Sequence, residues 1–254
     1  MAVGSSVTLN DLSSKVIKDS LRGSYYNFSS WGLQIADDYK LIVNNVDKYT
    51  PRYVLITATF ADFIFPENKS LTKNLDLIGT PRFEYFFKNY NNLESIICRW
   101  HELKTDSRAN NIFTGLKFDE GGAIGFKIRS HGQDKKRADE ARAIMNIFPG
   151  NYLQTNYAKL DSIGAFLQSK HVIFIFIQAP YASSLIESRE KLQDVQRHFK
   201  ECKAIVERHQ GLYVNKEVLS AMPDSLFADP LHLSDKGAIV FTRRTVALLT
   251  HLIN

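Results

Sequence analysis

Residues 172–177 read Val172-Ile173-Phe174-Ile175-Phe176-Ile177, and this run decides the fold class. Six consecutive apolar residues, all β-branched or aromatic, show no alternation that would leave one side polar. The run therefore predicts a strand covered on both faces. Outward from it, Arg52–Phe60 is a second strong strand set off by Pro51, Met1–Val3 and Tyr25–Phe28 are short strands, and Gly211–Asn215 is the last. Segments of helical periodicity lie between them. Leu9–Leu21 places Leu12, Val16, Ile17 and Leu21 near one face, with Gly23 as a stop. Leu33–Val46 turns Ile35, Tyr39, Ile42, Val43 and Val46 inward. A long helix spans roughly Ser183–His209, and Ser234 caps a closing helix that runs to about Leu252. Strand and helix in alternation predict an α/β sandwich with a mainly parallel sheet.

Residues of about 80–160 break that rhythm. Phe83–Lys104 reads as helical, with an aromatic stretch Phe83–Tyr90. Ile112–Ile128 reads as a β-hairpin around Phe118-Asp119-Glu120-Gly121-Gly122, and Asp134–Phe148 as a charged helix before Pro149-Gly150. With no Pro/Ser-rich linker and no internal repeat, the segment is expected to be an insertion within one domain spanning 1–254. Its expected place is the C-terminal rim of the sheet, beside the candidate site.

The 254 residues include 44% hydrophobic and 23% charged side chains, which suits one large α/β domain with a buried core. No apolar run is long enough for a membrane span. The N-terminus lacks the basic region and apolar core of a signal peptide, so a cytoplasmic protein is expected. Cys98 and Cys202 are the two cysteines, and they predict reduced thiols rather than a disulfide framework. The net charge is +5, but the basic residues are scattered and Lys135-Lys136-Arg137 is the one triple. Nothing resembles a zinc finger, a basic helix or an RNA-binding aromatic motif, so nucleic acid is not an expected partner. The histidines other than His232 show no zinc-ligand spacing, and the glycines between Gly115 and Gly125 open no phosphate loop.

Two stretches carry chemistry. Near the C-terminus the chain reads Phe227-Ala228-Asp229-Pro230-Leu231-His232-Leu233-Ser234, and His232 alone among the seven histidines has an aspartate three positions before it. Near the N-terminus, Gly4-Ser5-Ser6 follows the first short strand. A serine on a strand-to-helix turn, joined by an Asp-x-x-His loop, can supply a nucleophile, its base and the group that orients the base.

These blocks, in this order, resemble the SGNH (GDSL-like) hydrolase family. Gly4-Ser5-Ser6 is similar to its first block, Ser5 standing where many members have aspartate and Ser6 where the nucleophile stands. Asn27-Phe28-Ser29-Ser30-Trp31-Gly32 resembles the second block, whose glycine N–H serves the oxyanion hole. Asp62 matches the third, but Ala61 replaces the asparagine that normally donates a side-chain hydrogen bond. Asp229-Pro230-Leu231-His232 matches the last block. The resemblance implies a three-layer α/β/α flavodoxin-like fold with about five parallel strands and a serine-dependent ester hydrolase that needs no cofactor or metal. It implies Ser6, His232 and Asp229 as catalytic residues, and Ser6 and Gly32 as oxyanion donors, with Thr59 or Asn68 in place of the missing asparagine.

The layout looks most like bacterial members associated with surface-polysaccharide acylation, which implies an O-acylated carbohydrate or other small ester as substrate. Two alternatives accompany that expectation. One is an O-acetyltransferase using the same triad. The other is a non-catalytic glycan-binding scaffold, to which Ala61 and the very short first strand point. Oligomeric state is not legible in the sequence.

Overall fold

The computed structural model describes residues 1–21, 23–67, 118–125, 152–182, 188–214, 221–229 and 231–253. The strands are β1 (Tyr53–Ala58), β2 (Ile173–Gln178), β3 (Tyr181–Ala182), β4 (Leu212–Val214) and β5 (Ala221–Met222). The α-helices are α1 (Ser6–Asp11), α2 (Ser14–Leu21), α3 (Ile35–Tyr49), α4 (Gln154–Ser169), α5 (Arg189–Arg208) and α6 (Asp235–Ile253).

β2 is the central strand. It pairs in parallel with β1 from Tyr53↔Ile173 to Ala58↔Gln178, and with β4 from Ile175↔Leu212 to Ile177↔Val214. Beyond β1, Ala2 bridges Leu55 on one side and Asn27 on the other, both in parallel. The sheet order is therefore Asn27 segment, Ala2 segment, β1, β2, β4. Every residue of β2 after Ile173 is buried, because both faces are covered. Ile175 and Ile177 join a cluster with Leu12, Ile17 and Phe241, whereas Phe176 meets Phe63 and stacks on Tyr213. α1, α2 and α6 pack together on one side, and α3, α4 and α5 form the other layer. This is the doubly covered parallel sheet that the 172–177 run requires.

The structure redraws several elements. The stretch read as one helix over Leu9–Leu21 is two. Leu12 is extended after α1, the Ser13 hydroxyl accepts the Val16 amide as α2 begins, and the Ser13 amide donates to Thr242 Oγ1 on α6. α3 is rotated from the expected face. Ala36, Asp37, Asp38, Leu41 and Asn45 are buried beside Ile35, Ile42 and Val46, while Tyr39 and Val43 are half-buried. Polar residues on the inner stripe misled the periodicity. α4 was not anticipated, although Tyr157, Leu160, Ile163 and Leu167 are buried at helical spacing. The long helix begins only at Arg189, where the Ser188 hydroxyl caps it by accepting the Lys191 amide. The Ser234 hydroxyl takes the Gly237 amide at 3.2 Å and opens α6.

Two compact units make up the chain: Met1–Asn68 with Phe118–Asn254, and Lys69–Lys117. The expected helices over Phe83–Lys104, with the aromatic stretch Phe83–Tyr90, and over Asp134–Phe148 lie outside the described residues, as does Asn68. Of the hairpin, Phe118–Gly125 is described: Phe118 bridges Ile124 in antiparallel fashion. The Gly121 carbonyl accepts the Asn27 amide at 2.7 Å, and the Ile124 amide donates to the Leu9 carbonyl at 3.2 Å. The turn thus caps the edge strand and rests on α1. No helix among the described residues is long and apolar enough to cross a membrane.

Candidate active site

Ser6 sits at the first position of α1, just past the strand segment that carries Ala2. The turn that puts it there depends on Gly4. Its φ of 155° lies in the region that L side chains rarely adopt, and a β-carbon there would collide with the Thr8 side chain. Thr8 occupies that space for a reason. Its hydroxyl donates to the Thr57 carbonyl at 2.7 Å and accepts the Thr57 amide at 3.0 Å, fastening α1 to β1. Ser5 caps the helix by accepting the Val7 amide. The Ser6 amide is one of those that the first turn of a helix leaves without an intrahelical partner.

Asp229 and His232 occupy a tight loop that β5 and the 3-10 turn Asp224–Leu226 deliver to Ser6. Phe227 bridges Leu233, and the Ala228 amide donates to the His232 carbonyl at 2.9 Å. Inside that closure Asp229 Oδ1 accepts the backbone amides of Leu231 and His232, each at 2.9 Å. The same carboxylate faces His232 Nδ1, at 3.0 Å from Oδ1 and 2.9 Å from Oδ2. His232 Nε2 lies 2.8 Å from Ser6 Oγ. Three of the residues singled out in the sequence are thus joined in one chain of hydrogen bonds, although 226 positions separate Ser6 from His232.

The electrostatics follow from burial and pairing. Burial by itself would raise the Asp229 carboxyl, but its hydrogen bond to His232, the His232 charge and the two amides together hold it below the ordinary carboxylate value. Burial would likewise lower His232; Asp229, with the charges of Asp11 and Asp62, raises it above 6.5. A neutral imidazole held this way donates from Nδ1–H to Asp229 and accepts the Ser6 proton at Nε2.

The remaining candidates stand as follows. Gly32 has φ 77°, in the glycine-favouring region, and belongs to the loop whose Ser30 amide donates to the Gly4 carbonyl at 3.1 Å. That bond lays the loop beside the nucleophile turn. Asp62 closes a cap at the start of the 3-10 turn Phe60–Phe63: its Oδ2 accepts the Thr59 amide at 2.7 Å and the Thr59 hydroxyl at 3.3 Å. The Ser5 hydroxyl also favours the charged form of Asp62. Burial lifts Asp62 to about 6, against those hydrogen bonds. The Thr59 oxygen additionally accepts the Ala61 amide at 3.1 Å, which leaves that hydroxyl committed within the cap. Among the described residues no cluster of His, Cys, Asp or Glu is arranged to hold a metal ion. The sequence reading overlooked Thr8 and Asp11, because α1 is mostly polar (Ser6, Thr8, Asn10 and Asp11) and nothing local marks which of these side chains is buried.

No protein-family model matches the chain, and no curated protein does. Solved structures do. A catalytic mutant of Axe2, an acetylxylan esterase from Geobacillus stearothermophilus, matches over 97% of this chain and 91% of that chain with a TM-score of 0.50 at 12% identity. A second Axe2 variant, described as an acetyl-xylooligosaccharide esterase, matches over the same shares with a TM-score of 0.50 and 12% identity. At that identity the likeness establishes the fold alone, a parallel sheet with helices on both sides.

Proposed function

We propose that this protein is a serine-dependent ester hydrolase of the SGNH type that removes O-acyl groups from a carbohydrate or a similar small ester. The observation that carries the reading is the 2.8 Å approach of Ser6 Oγ to His232 Nε2, with Asp229 on the opposite ring nitrogen. Ser6 attacks the acyl carbonyl and His232 takes its proton. The tetrahedral oxyanion is held by the N–H groups of Ser6 and Gly32. His232 then gives the proton to the leaving alkoxide, and the acyl group stays on Ser6. Water, activated by the same imidazole, releases the acid and restores Ser6. Asp229 keeps the ring in the right tautomer and stabilises the imidazolium.

The carbohydrate part of the reading draws on the fold's likeness to esterases of acetylated xylan and xylooligosaccharides. The test is acetate release from p-nitrophenyl acetate and from acetylated xylooligosaccharides by the wild type and Ser6→Ala, with fluorophosphonate labelling of Ser6 read by peptide mass. Turnover lost in Ser6→Ala together with a labelled Ser6 peptide is the expected result; equal rates in the two proteins would overturn it. In the same assay, an acetylated sugar acceptor in place of free acetate would assign the enzyme to acyl transfer.

A further inference from the structure

The loop that carries the base is tied to the helix that carries the nucleophile at a point the triad does not include. Asp11 closes α1, five residues after Ser6, and is fully buried. Its Oδ1 accepts the amide of Leu233, the residue next to His232, at 2.9 Å. Its Oδ2 is buried with no hydrogen-bond partner. The backbone at the same point is clamped to α6, where Thr242 Oγ1 donates to the Asp11 carbonyl at 3.4 Å and accepts the Ser13 amide at 2.9 Å.

We infer that Asp11 is a positioning residue for His232, setting the base loop against Ser6 through the Leu233 amide and adding its charge to those that act on the imidazole. This rests on the esterase reading of the site. An unpartnered buried carboxylate oxygen costs on the order of 1–3 kcal/mol, which an apolar residue at position 11 would avoid. What the carboxylate gives in return is felt when His232 takes the Ser6 proton. The imidazolium then meets Asp229 on its own loop, Asp11 from α1 and Asp62 from the Phe60–Phe63 turn, the groups whose charges act on it. Burial lifts Asp11 itself to about 7, while the His232 charge and the Leu233 amide pull it down and Asp229 and Asp62 push it up. Asp11 and His232 therefore titrate as a coupled pair.

Asp11→Asn keeps an acceptor for the Leu233 amide and removes the charge; Asp11→Ala removes both. Two readouts are taken on the full chain: the His232 ring resonances followed against pH by NMR, assigned by their loss in His232→Ala, and the pH profile of kcat/KM on p-nitrophenyl acetate. In Asp11→Asn the His232 midpoint and the acid limb of kcat/KM move down together by about 1 on the pH scale. In Asp11→Ala the kcat/KM plateau falls about 10-fold below that of Asp11→Asn, as a loosened base loop demands. An Asn variant with the wild-type midpoint overturns the electrostatic part; Asn and Ala variants with equal plateaus overturn the positioning part. If Asp11→Ala does not fold, the Asn midpoint decides. The NMR titration needs no turnover, so a wild type without esterase activity would refute the proposed reaction and still leave the Asp11–His232 coupling measured.

Discussion

Two histidines of this chain, one half-buried and one fully buried, are held by opposite kinds of neighbour. His232 has a carboxylate on Nδ1 and further aspartates within electrostatic reach, and its protonated form is favoured despite burial. His198, on α5, is 1% exposed and surrounded by rings: Tyr152 stacks on it with centroids 4.8 Å apart, and Phe63 meets it edge-on at 4.6 Å. Its Nδ1 hydrogen-bonds the Tyr157 hydroxyl at 2.7 Å, and the buried Cys202 sulfur lies 3.7 Å away. Burial pushes His198 down to about 3, and among the described residues its hydrogen-bond partners are a hydroxyl and a thiol, not a carboxylate. The difference shows that burial does not make a histidine functional. A carboxylate on one ring nitrogen and a hydroxyl on the other, at the open rim of the sheet, make a base; aromatic faces in the opposite helix layer make a neutral packing residue.

The largest expected effect comes from removing the carboxylate. Asp229→Asn should lower kcat/KM on the order of 10⁴-fold, because the amide favours the wrong imidazole tautomer. The His232 midpoint should also move toward that of His198. In the wild type, kcat/KM should rise with pH through a midpoint above 6.5, since the raised His232 must lose its proton to act as base. A midpoint below that value would break the contrast between the two residues.

The next effect is on stability. Between pH 6.5 and about 3 the unfolded chain protonates His198 and the folded chain does not, so the unfolded state binds more protons and this residue destabilises the fold progressively as pH falls. His198→Phe should therefore gain in urea-unfolding free energy relative to wild type on going from pH 7 to pH 4.5. Taking the difference cancels the carboxylates common to both proteins. A difference independent of pH would show that His198 is not held neutral.

Tyr157→Phe leaves His198 Nδ1 without its hydroxyl partner and should cost about 1–3 kcal/mol in urea unfolding, with kcat/KM unaltered. A loss of activity there would tie the aromatic cluster to the site. The smallest effect belongs to an exposed pair. Lys170 reaches Asp47 at 2.8 Å, but the two side chains are 37% and 69% exposed, so Lys170→Ala should change stability by less than about 1 kcal/mol.

Local pattern made much of this legible in advance. The unbroken apolar run 172–177 required a sheet covered on both sides, and the spacing Asp229-x-x-His232 foretold which carboxylate meets which ring nitrogen, because three residues of one loop close on themselves. Gly4-Ser5-Ser6 was legible as a strand-to-helix turn, but the helix expected from Leu9 begins at Ser6 itself. The third block showed the limit. Thr59 was expected as an oxyanion donor; its hydroxyl meets Ala61 and Asp62, contacts that form only once the chain turns at Phe60.

What the sequence determined by itself were periodicities and short-range caps, since these depend on neighbours within one turn or one loop. Tertiary structure alone decided the split between α1 and α2, which depends on Thr242 some 229 positions from Ser13. It decided the rotation of α3, which buries Asp37, Asp38 and Asn45 beside Ile35, Ile42 and Val46. It decided that Asp11 lies under the base loop and His198 among rings. Charges and hydrogen bonds act through space, so a polar residue in an apolar stretch becomes a cap, a latch or a base only when the fold brings its partner to it.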